Sequence, residues 1–159
     1  MLHRHTFAPT PRKRFLPRIA DALPLTPEGY LQLRRKAAGL EIRELASRLS
    51  ALRNALIEAG ELPAGLLAIR NDFAAMIVML EAQGVRARLP ETLESIAAVM
   101  PFDPAVYRQL AEGDPRRDPR VCRGCGCSTY DSCHHESYGS CAWVSPTQCS
   151  HCAARDAQA

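Results

Sequence analysis

No cysteine occurs before residue 122, no acidic residue occurs before residue 21, and no long apolar run occurs anywhere. The longest apolar stretch is Phe73–Leu80, FAAMIVML, far short of the 18 or so residues a membrane helix needs. No membrane span is therefore expected. The basic N-terminus lacks a following apolar segment, so it does not read as a secretory signal. Prolines 9, 11 and 17 and a lack of serine also set it apart from a transit peptide. A cytoplasmic, reducing location is the expectation, and there clustered cysteines serve metals more often than disulfides. Aromatic residues make up 6% of the chain, and no strand-length alternation precedes residue 121. Glycine loops of the phosphate-cradling kind and the G-x-S-x-G elbow are both missing from the sequence.

What is present divides into two unlike parts. Residues 25–113 are rich in alanine, leucine and arginine, which favours helix. Thr26, Pro27 and Glu28 read as an N-cap, a first helical position and a favourable first-turn anion. That helix is expected to stop at Gly39. A second begins near Glu41, carries Ile42, Leu45, Leu49, Leu52 and Leu56 on one face, and ends at Gly60. A third covers part of Leu66–Ala82, with Asn71 or Asp72 as a cap. A fourth spans about 91–99 before Pro101. A fifth opens at Asp103-Pro104 and stops at Gly113.

Residues 1–24 read as a flexible basic arm. Five cations and no acid stand in its first 20 residues, whereas residues 21–113 hold ten basic and twelve acidic ones. Such an arm suits phosphate contacts through counterion release. Arg12, Lys13 and Arg14 in the arm, with Arg34, Arg35 and Lys36 in the first helix, are the candidate nucleic-acid contacts. Residues 114–120, with two prolines and five charges, read as a linker.

All seven cysteines fall between Cys122 and Cys152, in the spacing C-x2-C-x-C-x5-C-x7-C-x7-C-x2-C. The outer pairs, Cys122/Cys125 and Cys149/Cys152, each suit two thiolates on one ion and together make a closed four-thiolate zinc site. Cys127, Cys133 and Cys141 with one imidazole, His135 preferred over His134 and His151, would make a second. One or two zinc ions are expected, with an iron–sulfur cluster as the lesser alternative. So small a segment, 121–153, needs the metal to fold. Trp143 and Val144 are its expected apolar core, and 154–159 a polar tail. His134-His135-Glu136 with Cys149-Ser150-His151-Cys152 approaches the zinc-deaminase pattern. Only twelve residues separate its halves, however, and its α/β context is missing. No enzyme is expected.

Leu33-Arg34-Arg35-Lys36-Ala37-Ala38-Gly39-Leu40 followed by Ile42-Arg43-Glu44-Leu45-Ala46 resembles the opening of a phage-repressor helix-turn-helix. Leu80–Gly84, Pro90–Val99 and Phe102-Asp103-Pro104 resemble its closing half, with about twenty extra residues between the halves. Phe73–Leu80 stands where the recognition helix would be, yet it carries no polar side chain for base edges. The string Cys122-Arg123-Gly124-Cys125-Gly126-Cys127, Asp131-Ser132-Cys133, Cys141-Ala142-Trp143-Val144, Cys149-Ser150-His151-Cys152 is similar to a module of phage and prophage proteins. The expected fold is mainly α, a five-helix domain resembling a helix-turn-helix followed by an irregular zinc module. The expected function is that of a zinc-binding, nucleic-acid-associated regulator of phage type, in a bacterial or infected cell, acting on DNA or a DNA-bound complex. The alternative is an adaptor or inhibitor docking on a host protein through helix 73–80 or the zinc module. A metal-dependent enzyme is a distant third.

Overall fold

The computed structural model describes residues 24–63, 72–135 and 139–158, with the side chains of all of these but Pro115 and His135. Arg12, Lys13 and Arg14 lie outside the described residues, as does the imidazole of His135. The protein is mainly α. Its helices are α1 (Pro27–Ala37), α2 (Ile42–Glu58), α3 (Phe73–Leu80), α4 (Pro90–Val99), α5 (Pro104–Glu112) and α6 (Ser150–Asp156).

Local signals place the first five. Thr26 Oγ1 accepts from Gly29 N at the start of α1, and Asp103 Oδ1 accepts from Ala105 N at the start of α5. Asp72 caps α3 through Ala75 N, 2.9 Å away. Proline occupies the first turn of α1, α4 and α5, where its missing N–H costs no helical bond. Gly39 and Gly113 follow α1 and α5 with φ of 69° each, the left-handed conformation that ends a helix cheaply in glycine.

Apolar faces then meet. α2 packs on α3 and α4, and α1 on α5. Tyr30, Leu31, Leu45, Leu49, Ile77, Leu93, Ile96, Val106 and Leu110 are buried in one cluster. Phe102, in the α4–α5 turn, lies between Tyr30 and Tyr107 at ring-centre distances of 5.3 and 5.9 Å. The Tyr30 hydroxyl accepts from Asp103 N and the Tyr107 hydroxyl from Ala87 N, so both buried phenols are satisfied.

The cysteine-rich segment joins this core. Val121 is buried in the same cluster as Tyr30 and Leu110. Between the two parts, Asp114 caps a single 3-10 turn over Pro115–Arg117. The Arg120 guanidinium donates to the Ser145 carbonyl and covers the Trp143 ring at 4.3 Å. Two short antiparallel hairpins follow: β1 (His134–His135) with β2 (Gly139–Ser140), and β3 (Trp143–Ser145) with β4 (Gln148–Cys149). α6 was not expected. It takes in the first half of the supposed polar tail, and its first turn carries Cys152. Trp143 does pack against the cysteines, but Val144 is 56% exposed on the opposite face of β3 and adds nothing to that core.

Candidate metal centre

Two limbs of chain bring the thiols together. In the first, Gly126 N donates to Cys122 O and Cys122 N to Cys127 O, both at 2.8 Å, closing a tight loop. That loop turns Cys122, Cys125 and Cys127 inward, all buried. In the second, the β3–β4 hairpin delivers Cys149, and α6 starts at once, so Cys152 returns to the same side after three residues. Cys149 N donates to Cys122 Sγ at 3.3 Å, tying the limbs. The β1–β2 hairpin is closed by Cys141 N donating to Cys133 O at 3.0 Å and adds these two thiols from the side.

Two glycines make room for this approach. A β-carbon at Gly124 would stand 2.7 Å from Cys152 Sγ. At Gly126, φ is +77° and a β-carbon would stand 2.6 Å from Arg34 Cδ. Any larger residue at either place pushes on a sulfur or on the helical domain.

The donor atoms of Cys122, Cys125, Cys149 and Cys152 lie within 4.8 Å of one another, and all four residues are buried. Cys125 Sγ and Cys149 Sγ are 3.8 Å apart. Four sulfurs about 2.3 Å from a central zinc sit about 3.8 Å from each other at the corners of a tetrahedron. The thiols are free rather than disulfide-bonded. Spacing, burial and sulfur chemistry therefore all fit a divalent metal such as zinc at the four positions expected from the outer pairs.

Cys133 and Cys127 complete a second group with Cys125 and Cys149, again within 4.8 Å. Cys141 Sγ is 3.6 Å from Cys127 Sγ. His151 Nδ1 is 3.3 Å from Cys133 Sγ, so His151 is the imidazole that the described residues place beside these thiols. His134 is exposed on β1.

Burial and mutual hydrogen bonding divide the thiols. Cys122 is held well below the usual thiol range, first because the Cys125 thiol donates to it, then because backbone N–H groups of Cys149 and Gly124 do so. Cys125 is pushed up by giving that bond. Burial pushes Cys133 and Cys152 up to about 12. Metal binding here must displace protons from sulfur.

The expected nucleic-acid contacts Arg34 and Arg35 need correction. Both are buried, 4% and 5% exposed. Arg34 Nε donates to Pro101 O at 3.0 Å, Nη1 to Cys125 O at 3.5 Å, and Nη2 to the Asp131 carboxylate. Arg35 grips both Glu81 carboxylate oxygens at 2.6 and 2.8 Å and donates to Leu40 O. Their side chains are spent inside the protein and cannot reach phosphates. Lys36 is exposed. Nearby Arg48 is paired with Glu44 at 3.0 Å, and Arg53 lies over the Phe73 ring at 5.4 Å.

Among the described residues no helix is long and apolar enough to cross a membrane. Fold and site together define a mainly helical protein with a buried cysteine cluster that could hold a metal ion. No protein-family model, curated protein or solved structure matches the chain.

Proposed function

We infer that this is a zinc-binding regulatory protein whose metal segment is structural, and that it joins a DNA-bound complex by docking on protein rather than by reading bases. The carrying observation is the contrast between α1 and α3. The two central arginines of α1 are consumed internally, while α3 and the loop after it present Val78, Met79 and Leu89 at 53, 61 and 65% exposure. A groove of about 470 Å³ runs between α3 and that loop, lined by Met76, Met79 and Val85, with Arg86 and Arg88 outnumbering the one carboxylate, Asp72, along it. An apolar lining with an excess of positive charge suits an acidic, amphipathic protein segment.

Zinc is favoured over a four-iron cluster because the sulfurs stand one tetrahedral edge apart, whereas a four-iron cluster places each thiolate on a different iron. Catalysis is disfavoured because four buried thiolates fill every corner of a zinc tetrahedron and leave no open position for substrate. The phage or prophage setting rests on the resemblance of the cysteine string.

A second reading is direct DNA contact through the N-terminal arm, favoured by its five cations and no acid within 20 residues. The two separate in a nucleoid-association assay in bacterial cells, comparing the wild type, Met79→Glu, and the triple variant Arg12→Ala, Lys13→Ala, Arg14→Ala. Docking on protein predicts that Met79→Glu leaves the nucleoid and the triple variant stays. The reverse pattern establishes the arm as the contact, and a wild type that never associates refutes both.

A further inference from the structure

The two four-thiol groups are not separate. Cys122, Cys125, Cys149 and Cys152 form one, Cys125, Cys127, Cys133 and Cys149 the other, each with donor atoms within 4.8 Å. Cys125 and Cys149 belong to both. Independent four-donor sites need eight different donors; here six sulfurs make two sets because one edge is common. That edge measures 3.8 Å. Cys133 Sγ lies 3.9 Å from Cys125 Sγ and 3.8 Å from Cys149 Sγ. The three form a nearly equilateral triangle, the face of a second tetrahedron with Cys127 at its remaining corner.

We propose that the module holds two divalent metal ions in one cluster, with Cys125 and Cys149 as bridging thiolates. Cys122 and Cys152 are terminal on one ion, Cys127 and Cys133 on the other. Sharing two sulfurs lowers the negative charge that must be buried, compared with eight separate thiolates. The residual charge meets donors already in place: Cys149 N at 3.3 Å from Cys122 Sγ, and Arg155 Nη2 at 3.8 Å from Cys152 Sγ. Cys141 and His151 stand behind the terminal sulfurs of the second ion, next to Cys127 and Cys133 respectively. They orient these thiolates by hydrogen bonding, as second-row donors do around metals generally.

The proposal rests on the metal-binding reading but fails separately from it. The full-length protein, loaded with zinc, is compared with Cys133→Ser, Cys141→Ser and His151→Ala by elemental analysis, with helical content checked by circular dichroism. Two zinc per chain are expected in the wild type, Cys141→Ser and His151→Ala, and one in Cys133→Ser. In protein loaded with NMR-active cadmium, two resonances are expected, coupled to each other through the shared sulfurs. Loss of one metal in His151→Ala or Cys141→Ser, or two uncoupled resonances, overturns the bridge and assigns separate ligand sets. One zinc in the wild type overturns the cluster and leaves a single metal site standing; none overturns both. Should Cys133→Ser fail to fold, the cadmium coupling in the wild type decides.

Discussion

Arg34 of α1 reaches into the cysteine-rich segment and pairs with Asp131, while its other nitrogens hold the carbonyls of Pro101 and Cys125. One buried guanidinium thus joins a helix, the α4–α5 turn and the loop that carries three thiols. Removing one partner of a buried charge pair leaves the other unpaired and is far costlier than the pair's net worth.

Arg34→Ala is expected to destabilise the protein by about 2–3 kcal/mol, below the fully buried range because Asp131 keeps some exposure. Chemical denaturation measures it. Asp131→Asn keeps an acceptor and is expected to cost less. Arg34→Lys cannot reproduce the fork and should resemble the alanine variant more than the wild type.

Arg35 and Glu81 make the more deeply buried pair, each 6% exposed and joined by two hydrogen bonds. The hydrogen bond to Glu81, opposed by burial, holds the Arg35 pKa above its ordinary value. Glu81→Ala is expected to cost about 3–5 kcal/mol, with a lower thermal midpoint. If the midpoint does not move, the pair is not what fixes α1 against the end of α3.

Alkaline pH tests the aromatic centre of the helical domain. Burial, partly offset by the Asp103 N–H, pushes Tyr30 up to about 12 from 10.0. Above pH 10 the unfolded chain gives up this proton while the native chain keeps it. Stability is full below pH 10 and falls as pH rises through the window from 10 to about 12, losing about 2–3 kcal/mol. Unfolding free energy measured across that window, with Tyr30→Phe as the control lacking the proton, checks both sign and size. The phenylalanine variant should show a flatter profile and an offset of about 1 kcal/mol from the unpaired Asp103 N–H.

Gly126→Ala combines a strained φ of +77° with a clash against Arg34. Gly124→Ala presses on Cys152 Sγ. The first is expected to loosen the docking of the module while metal content stays unchanged. The second is expected to weaken metal retention against a chelator. Trp143, the one tryptophan of the chain and packed on the cysteines, reports both by fluorescence. Equal behaviour of the two variants would contradict this division of roles.

Much of the fold was legible because its signals are local. Thr26-Pro27, Asp103-Pro104, Gly39 and Gly113 mark helix ends by conformational preferences of single residues, and the structure puts α1 and α5 between them. The outer cysteine pairs were legible for the same reason, since a C-x2-C turn brings two sulfurs together whatever surrounds it. What sequence could not give is long-range. Arg34 and Arg35 look like solvated cations until Asp131 and Glu81, 97 and 46 residues away, are brought alongside. The place of His151 is long-range in the same way, since α6 sets its imidazole 3.3 Å from Cys133 Sγ, 18 residues away in sequence. α6 is not legible because seven residues with one cysteine and no apolar stripe give no helical period.

The central claim is that buried thiolates hold metal and thereby fold the last quarter of the chain onto the helices. Elemental analysis of the purified full-length protein, before and after exhaustive chelation and with Trp143 fluorescence recorded alongside, tests it most directly. The account predicts stoichiometric zinc in the untreated protein and a large change in Trp143 emission when it is withdrawn. A folded protein without bound metal, or one whose Trp143 emission ignores chelation, would contradict it.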